Sequence, residues 1–264
     1  MKYLKLLVTV LVLVWLTGCK DVVDFYLGVP LQPAFDEDSF VPGLNIFGII
    51  RPDATGVYNN SFIQFQKVIP AVGYTDSLDV GTVIVKVEKD NDGISPVDFL
   101  LTDHHGVFSE EVYRPDTPFS PKAGDIFMVE CVYPELPVLC ATTLVPNPPV
   151  LLLNTLTESN RSLSFEIQVD TTIHMIDIYV YAGGLPAGFR RLPGEQDANT
   201  SVLFTDLPGA VDSMDIYSYD ENMALYYMTA NTSLNFNKYR ESFSTVENGY
   251  GVFGALNHAR FYLR

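Results

Sequence analysis

Basic residues are scarce in this sequence. Lys and Arg number 16 against 32 Asp and Glu, a formal net charge of −16. Such a chain repels phosphate backbones, which disfavours nucleic-acid binding. The acids are scattered rather than run together, as on an ordinary solvated surface. Cysteine is scarce too, at three residues, none in a CxxC or a Cys/His zinc spacing. GxSxG, HExxH and P-loop motifs are missing, so no serine, zinc or phosphate-cradling chemistry announces itself. Apolar runs are short. The longest, LLVTVLVLVWL at residues 6–16, falls below the roughly 20 residues that a permanent membrane helix needs.

That run sits in a secretory signal. Lys2 and Lys5 supply the positive start, residues 6–16 the apolar middle, and Thr17 and Gly18 the small-residue cleavage region. Leu16-Thr17-Gly18-Cys19 resembles the bacterial lipobox, in which the cysteine is acylated and becomes the new N-terminus. The expectation is a signal peptide over 1–18 and a lipid anchor at Cys19. Two or more acyl chains hold stably where one does not, at about 0.8 kcal/mol per buried methylene. Lys20-Asp21 is similar to the start of the surface-export signal of Bacteroidota-type lipoproteins, which implies an outer-membrane, cell-surface location. Residues 19–42 then read as a tether, with Pro30, Pro33 and Pro42. Asp36-Glu37-Asp38 there lacks the loop that a calcium site requires.

Hydrophobic residues make up 47% of the chain, which excludes disorder throughout. From residue 44 the apolar period is two. Val83, Val85 and Val87 share one face; so do Leu163, Phe165, Ile167 and Val169, and so do Ile176, Ile178 and Val180. This alternation predicts half-buried antiparallel strands. Asn91-Asp92-Gly93, His105-Gly106, Ala123-Gly124, Gly183-Gly184 and Pro208-Gly209 separate them as turns. The fold expectation is all-β, with little helix: two immunoglobulin-like sandwiches of the fibronectin III or carboxypeptidase-regulatory-like kind. VPNPPV at 145–150 divides them, one over 43–147 and one over 148–264. The one helix expected spans about 220–230, with Asp220 as N-cap and Met223, Tyr226 and Tyr227 at helical spacing.

Few residues suggest chemistry. Asp90-Asn91-Asp92-Gly93 departs from the EF-hand pattern and reads as a hairpin turn. His104 and His105, adjacent on a strand, point to opposite faces, and neither His174 nor His258 adds a ligand spacing. No metal site, cofactor or catalytic residue is expected, although a carboxylate pair of the glycosidase type is invisible without a fold. Cys131 and Cys140 flank VYPELPVL. Pairing Tyr133 with Val138 would set the two thiols opposite each other, within disulfide reach; the other reading is two ordinary buried thiols. DIYSYDENMALYYMT at 215–229 concentrates Tyr217, Tyr219, Tyr226 and Tyr227. They read either as core or as an aromatic surface for a glycan or peptide. The closing VENGYGVFGALNHARFYLR holds turn glycines and a last strand over 259–263.

Four stretches in order carry a family resemblance: LNIFGIIRPD after the lipobox start, GTVIVKVEKDNDGISPVDFLLTDHHGVFSEE, PKAGDIFMVECVYPELPVLCATTLVPNPP, and VENGYGVFGA. Together they resemble the Bacteroidota surface lipoproteins of domain of unknown function 4249. The resemblance implies a non-enzymatic surface lipoprotein associated with a TonB-dependent outer-membrane receptor, and transfers no catalytic residues. Two other functions stay open on the residues: a structural or adhesive, fimbria-like subunit that accepts a neighbour's strand, and a glycan-active hydrolase.

Overall fold

The computed structural model describes residues 43–52, 61–68, 83–90, 96–103, 111–159, 161–194, 199–230 and 245–263. All of them fall in one compact unit over residues 41–232 and 240–264. Among these residues the protein is mostly β, with a single helix. The first seven strands are β1 (Gly43–Ile50), β2 (Phe62–Val68), β3 (Ile84–Lys89), β4 (Val97–Asp103), β5 (Glu111–Pro115), β6 (Ile126–Val132) and β7 (Leu139–Leu144). After the proline segment come β8 (Val150–Ser159), β9 (Ser162–Gln168), β10 (Met175–Ala182), β11 (Leu185–Pro193), β12 (Asn199–Phe204) and β13 (Ser213–Tyr219). Helix α1 (Glu221–Ala230) and strand β14 (Gly249–Tyr262) follow.

The alternation read from the sequence is the alternation of burial. Val83, Val85 and Val87 are buried, while Lys86 between them is exposed. Leu163, Phe165, Ile167 and Val169 are buried, as are Ile176, Ile178 and Val180. Full burial of such a side chain contributes about 1.5–3 kcal/mol, so a one-residue slip in any of these strands would be strongly disfavoured. Gly183 and Gly184 both have positive φ, 60° and 75°, and close the two-residue turn between β10 and β11. That turn type needs positive φ at both positions.

The strands form two sheets. Eleven run in the order β11-β10-β13-β14-β1-β2-β5-β4-β3-β6-β7, and three in the order β12-β9-β8. Strand β14 is the hinge of this arrangement. Its first half, Gly249–Ala255, pairs with β1, the one parallel ladder among the described residues. Its second half, Leu256–Tyr262, pairs antiparallel with β13. It is therefore much longer than the closing segment expected over 259–263.

Two main apolar clusters lie on either side of the proline segment. One ends at Val145 and draws in Val246, Phe253 and Ala255 from the C-terminal stretch. The other starts at Leu151 and joins the three-stranded sheet, through Leu163, Phe165 and Phe204, to Ile178 and Ile216 of the large sheet. The proline segment is pinned between them. Asn147 donates from its side chain to Asp170 (2.6 Å) and from its backbone to Thr172 (2.9 Å). The Asn147 carbonyl accepts from Ser218, and the Pro146 carbonyl from Asn257. Burial pushes the Asp170 carboxyl up, but the bonds from Thr172 and Asn147 outweigh it and leave its pKa lowered.

Candidate functional site

Helix α1 begins where the sequence places it. Asp220 is the N-cap: its Oδ1 accepts from the Met223 backbone N–H at 2.9 Å, and its carbonyl takes the first helical bond from Ala224. Its Oδ2 accepts from the Thr143 hydroxyl at 2.6 Å, tying the helix start to β7. Burial dominates this carboxyl and pushes its pKa up to about 6, against the pull of its hydrogen bonds. Met223 sits on Gly254 of β14, where an added Cβ would collide with it and come within 2.9 Å of Asp220 Oδ1.

The helix splits the four tyrosines singled out in the sequence. Tyr219 is buried and donates its hydroxyl to Asp177 Oδ2 at 3.1 Å. Tyr226 and Tyr227 pack edge-on to each other at 5.6 Å, and Tyr227 edge-on to Tyr219 at 5.5 Å. Tyr226 also meets Phe47 of β1. These three tyrosines join the helix to the sheet in a third cluster with Met175, Met223 and Val252. Burial raises the pKa of Tyr219 and of Tyr227, so both stay protonated donors.

Tyr217 packs against the same cluster and also belongs to a second arrangement. Strands β10 and β13 carry the same five-residue pattern, Asp177-Ile178-Tyr179-Val180-Tyr181 and Asp215-Ile216-Tyr217-Ser218-Tyr219. They pair antiparallel with Ile178 against Ile216, so Asp177 faces Tyr217 and Tyr179 faces Asp215. The register is two-fold symmetric about the isoleucine pair, and the outer strands continue the symmetry. Phe189 and Arg191 of β11 stand across from Tyr179 and Asp177. His258 and Arg260 of β14 stand across from Tyr217 and Asp215. Odd and even positions on a strand face opposite ways. The isoleucines therefore enter the core, and the acids, rings and arginines share the other face.

On that face four rings run across four strands. Phe189 and Tyr179 are 4.8 Å apart, Tyr179 and Tyr217 5.9 Å, and Tyr217 and His258 4.6 Å. Phe189 is 50% exposed at the open edge strand. A carboxylate–guanidinium pair borders the row on each side. Arg191 grips Asp177 with two bonds, 2.7 Å from Nε and 2.6 Å from Nη2, while stacking on Tyr227 at 5.0 Å. The hydrogen bond to Asp177 raises the Arg191 pKa further. Arg260 Nε lies 3.8 Å from Asp215 Oδ1, and His258 Nε2 lies 2.9 Å from the same oxygen. Tyr181 mirrors Tyr219: burial raises its pKa first, then its hydrogen bond to Asp215.

This face sets a row of partly exposed rings between Arg191, fixed by Asp177, and the more loosely held Arg260. Asp177 is closed to solvent, with its oxygens held by Arg191 and Tyr219. It is a structural anchor for its arginine rather than an acid in reach of a substrate. Among the described residues, no group of three or more His, Cys, Asp or Glu side chains is placed to hold a metal. The sequence reading missed Tyr179, Phe189, Arg191 and His258. The repeated Asp-Ile-Tyr pattern was the signal that could have found them.

The thiols lie otherwise than the expected pairing. Cys131 faces Leu139, and Glu130 faces Cys140. The expected register of Tyr133 with Val138 is off by one, so the cysteines occupy opposite faces and both are free thiols. The cause is the turn. Leu136 N–H donates to the Tyr133 carbonyl at 3.3 Å, and Glu135 takes φ 68°, so the turn closes over Tyr133–Leu136 rather than Pro134–Pro137. Burial raises both thiol pKa values, with nearby Glu130 adding to each. Cys19, residues 36–38, 91–93 and His104-His105 lie outside the described residues. No helix among the described residues is long and apolar enough to cross a membrane. No protein-family model and no curated protein matches this chain.

Proposed function

We propose that this protein is a lipid-anchored surface lipoprotein of the outer membrane, which recognises a ligand without transforming it and assists a TonB-dependent nutrient receptor. The observation that carries the reading is the partly exposed ring-and-arginine face of β11, β10, β13 and β14, in which the buried Asp177 is already held by Arg191 and Tyr219. Such a face binds by contact and offers no activated nucleophile. The anchor is Cys19, held in the lipobox-like Leu16-Thr17-Gly18-Cys19. In this reading the strands belong to two immunoglobulin-like sandwiches, over 43–147 and 148–264, with the first half of β14 crossing that boundary to pair with β1. The lipid raises the local concentration of the binding face beside its receptor.

The test is the location and chemistry of the N-terminus. Mass spectrometry of the protein purified from membranes should find acylated Cys19 as the first residue. Protease added to intact cells should degrade it. An unacylated chain, or one protected until the outer membrane is broken, contradicts the surface-lipoprotein reading.

A further inference from the structure

Strand β11 ends the eleven-stranded sheet, and its far side pairs with no strand among the described residues. Pro193 has no N–H, and the Gly194 N–H donates to the His174 carbonyl at 2.9 Å. Residues alternate along an antiparallel ladder, so Leu192 and Arg190 bond to β10, while Arg191 and Phe189 turn their N–H and C=O groups outward. Pro193 closes this outward row at one end. Pro186 and the register shift at Val180/Tyr181 break it at the other. What stays open is Phe189-Arg190-Arg191, a window that admits one short strand in one register.

The side chains make the window selective. Phe189 is exposed on one face, where Arg191 is already taken by Asp177. Arg190 is exposed on the other face, with its guanidinium 5.8 Å from the Phe204 ring centroid and no ion pair among the described residues. Strand β11 carries no acid of its own. An added antiparallel strand that bonds Phe189 and Arg191 sets its middle residue opposite Arg190. Cα atoms at such a non-hydrogen-bonded position are about 4.5 Å apart, and opposite charges there attract. The net charge of −16 repels a segment rich in acids, so the carboxylate stands among neutral or basic residues.

We infer that β11 is a docking edge for an extended segment of a partner protein, with a single carboxylate opposite Arg190 and apolar side chains on either side of it. Main-chain bonds hold the segment, and the Arg190 pair sets its register. The inference goes beyond the recognition reading above and does not require the lipid anchor.

The test is fluorescence anisotropy of a dye-labelled, end-capped peptide, KTVEVTK, with the full chain in mild detergent. Physiological ionic strength screens exposed charges beyond about 8 Å. The peptide should bind saturably, and KTVQVTK about threefold more weakly. Arg190→Gln should cost the same factor and remove the difference between the two peptides. Arg190→Glu should reverse the preference, taking KTVKVTK over KTVEVTK. Phe189→Pro removes one outward N–H, leaves the ladder to β10 in place and should abolish binding. Ile84→Ala, at an exposed position on β3, should leave it unchanged. Absence of saturable binding overturns the inference, as does binding indifferent to Arg190→Gln or to Phe189→Pro. A dimer of the protein alone that Phe189→Pro dissolves would also overturn it, by giving the edge to a second copy.

Discussion

Asp177 of β10 faces Tyr217 of β13, and two residues along the same ladder the order reverses, with Tyr179 facing Asp215. Each acid is then met from outside by an arginine, Arg191 on β11 or Arg260 on β14. The two halves match in pattern but differ in burial. The Arg191 side chain is 29% exposed over an Asp177 at 1%, and the Arg260 side chain is 45% exposed over an Asp215 at 7%.

That difference sets the cost of breaking each pair. Removing one partner of a fully buried pair costs about 3–5 kcal/mol. Partial exposure of Arg191 screens the charge, so Arg191→Ala should lower stability by roughly 2 kcal/mol. Arg260→Ala should cost under about 1 kcal/mol, because its pair is longer and wetter. Arg191→Lys should not restore the loss, since lysine lacks the two-pronged fork. Urea unfolding of the variants measures all three.

Asp220 makes the fold sensitive to pH. Its ordinary value of 3.8 rises to about 6 in the folded chain. Between those values the folded chain holds a proton that the unfolded chain has lost. Stability therefore falls as pH rises through that window, by about 3 kcal/mol, and levels off above it. Asp220→Asn keeps an oxygen to cap α1 and should abolish this fall. Asp220→Ala removes the cap and the partner of Thr143; it should cost about 1–2 kcal/mol near pH 4 and, having no carboxyl to titrate, should also lack the wild-type fall at higher pH. Denaturant midpoints of the wild type and both variants, taken from pH 4 to 8, distinguish these outcomes.

Gly254 lets the helix approach the sheet. An added methyl meets Met223 and Asp220. Gly254→Ala should destabilise by about 1–3 kcal/mol through overpacking, read as a lower thermal midpoint.

The two thiols should react at different times. Cys140 is partly exposed and Cys131 is fully buried. A thiol reagent should modify Cys140 slowly in the folded protein, since its raised pKa limits the thiolate. Cys131 should react only on unfolding. Reduction of the folded protein should leave its intact mass unchanged.

Much of the fold was legible because its signals are local. Val83, Val85 and Val87 alternate in the sequence as they do in burial, and Asp220 caps the helix it precedes. Long-range pairing was not. Nothing near Gly249 announces a parallel partnership with Leu44. The cysteine register turned on a single residue, Glu135, adopting a left-handed conformation. In the candidate site the repeated Asp-Ile-Tyr pattern is visible in the sequence, but its meaning depends on β10 and β13 being neighbours. The tyrosine-rich stretch drew attention to Tyr219, Tyr226 and Tyr227, whose rings serve packing between α1 and the sheet.

The central claim is that the protein assists a receptor from its lipid anchor. The measurement that tests it most directly is a tagged pull-down from native outer membranes in mild detergent, with Cys19→Ser alongside. The account predicts that a TonB-dependent receptor co-elutes with the wild type and is lost with Cys19→Ser. Recovery of the protein alone, or only of its own large assemblies, would contradict it.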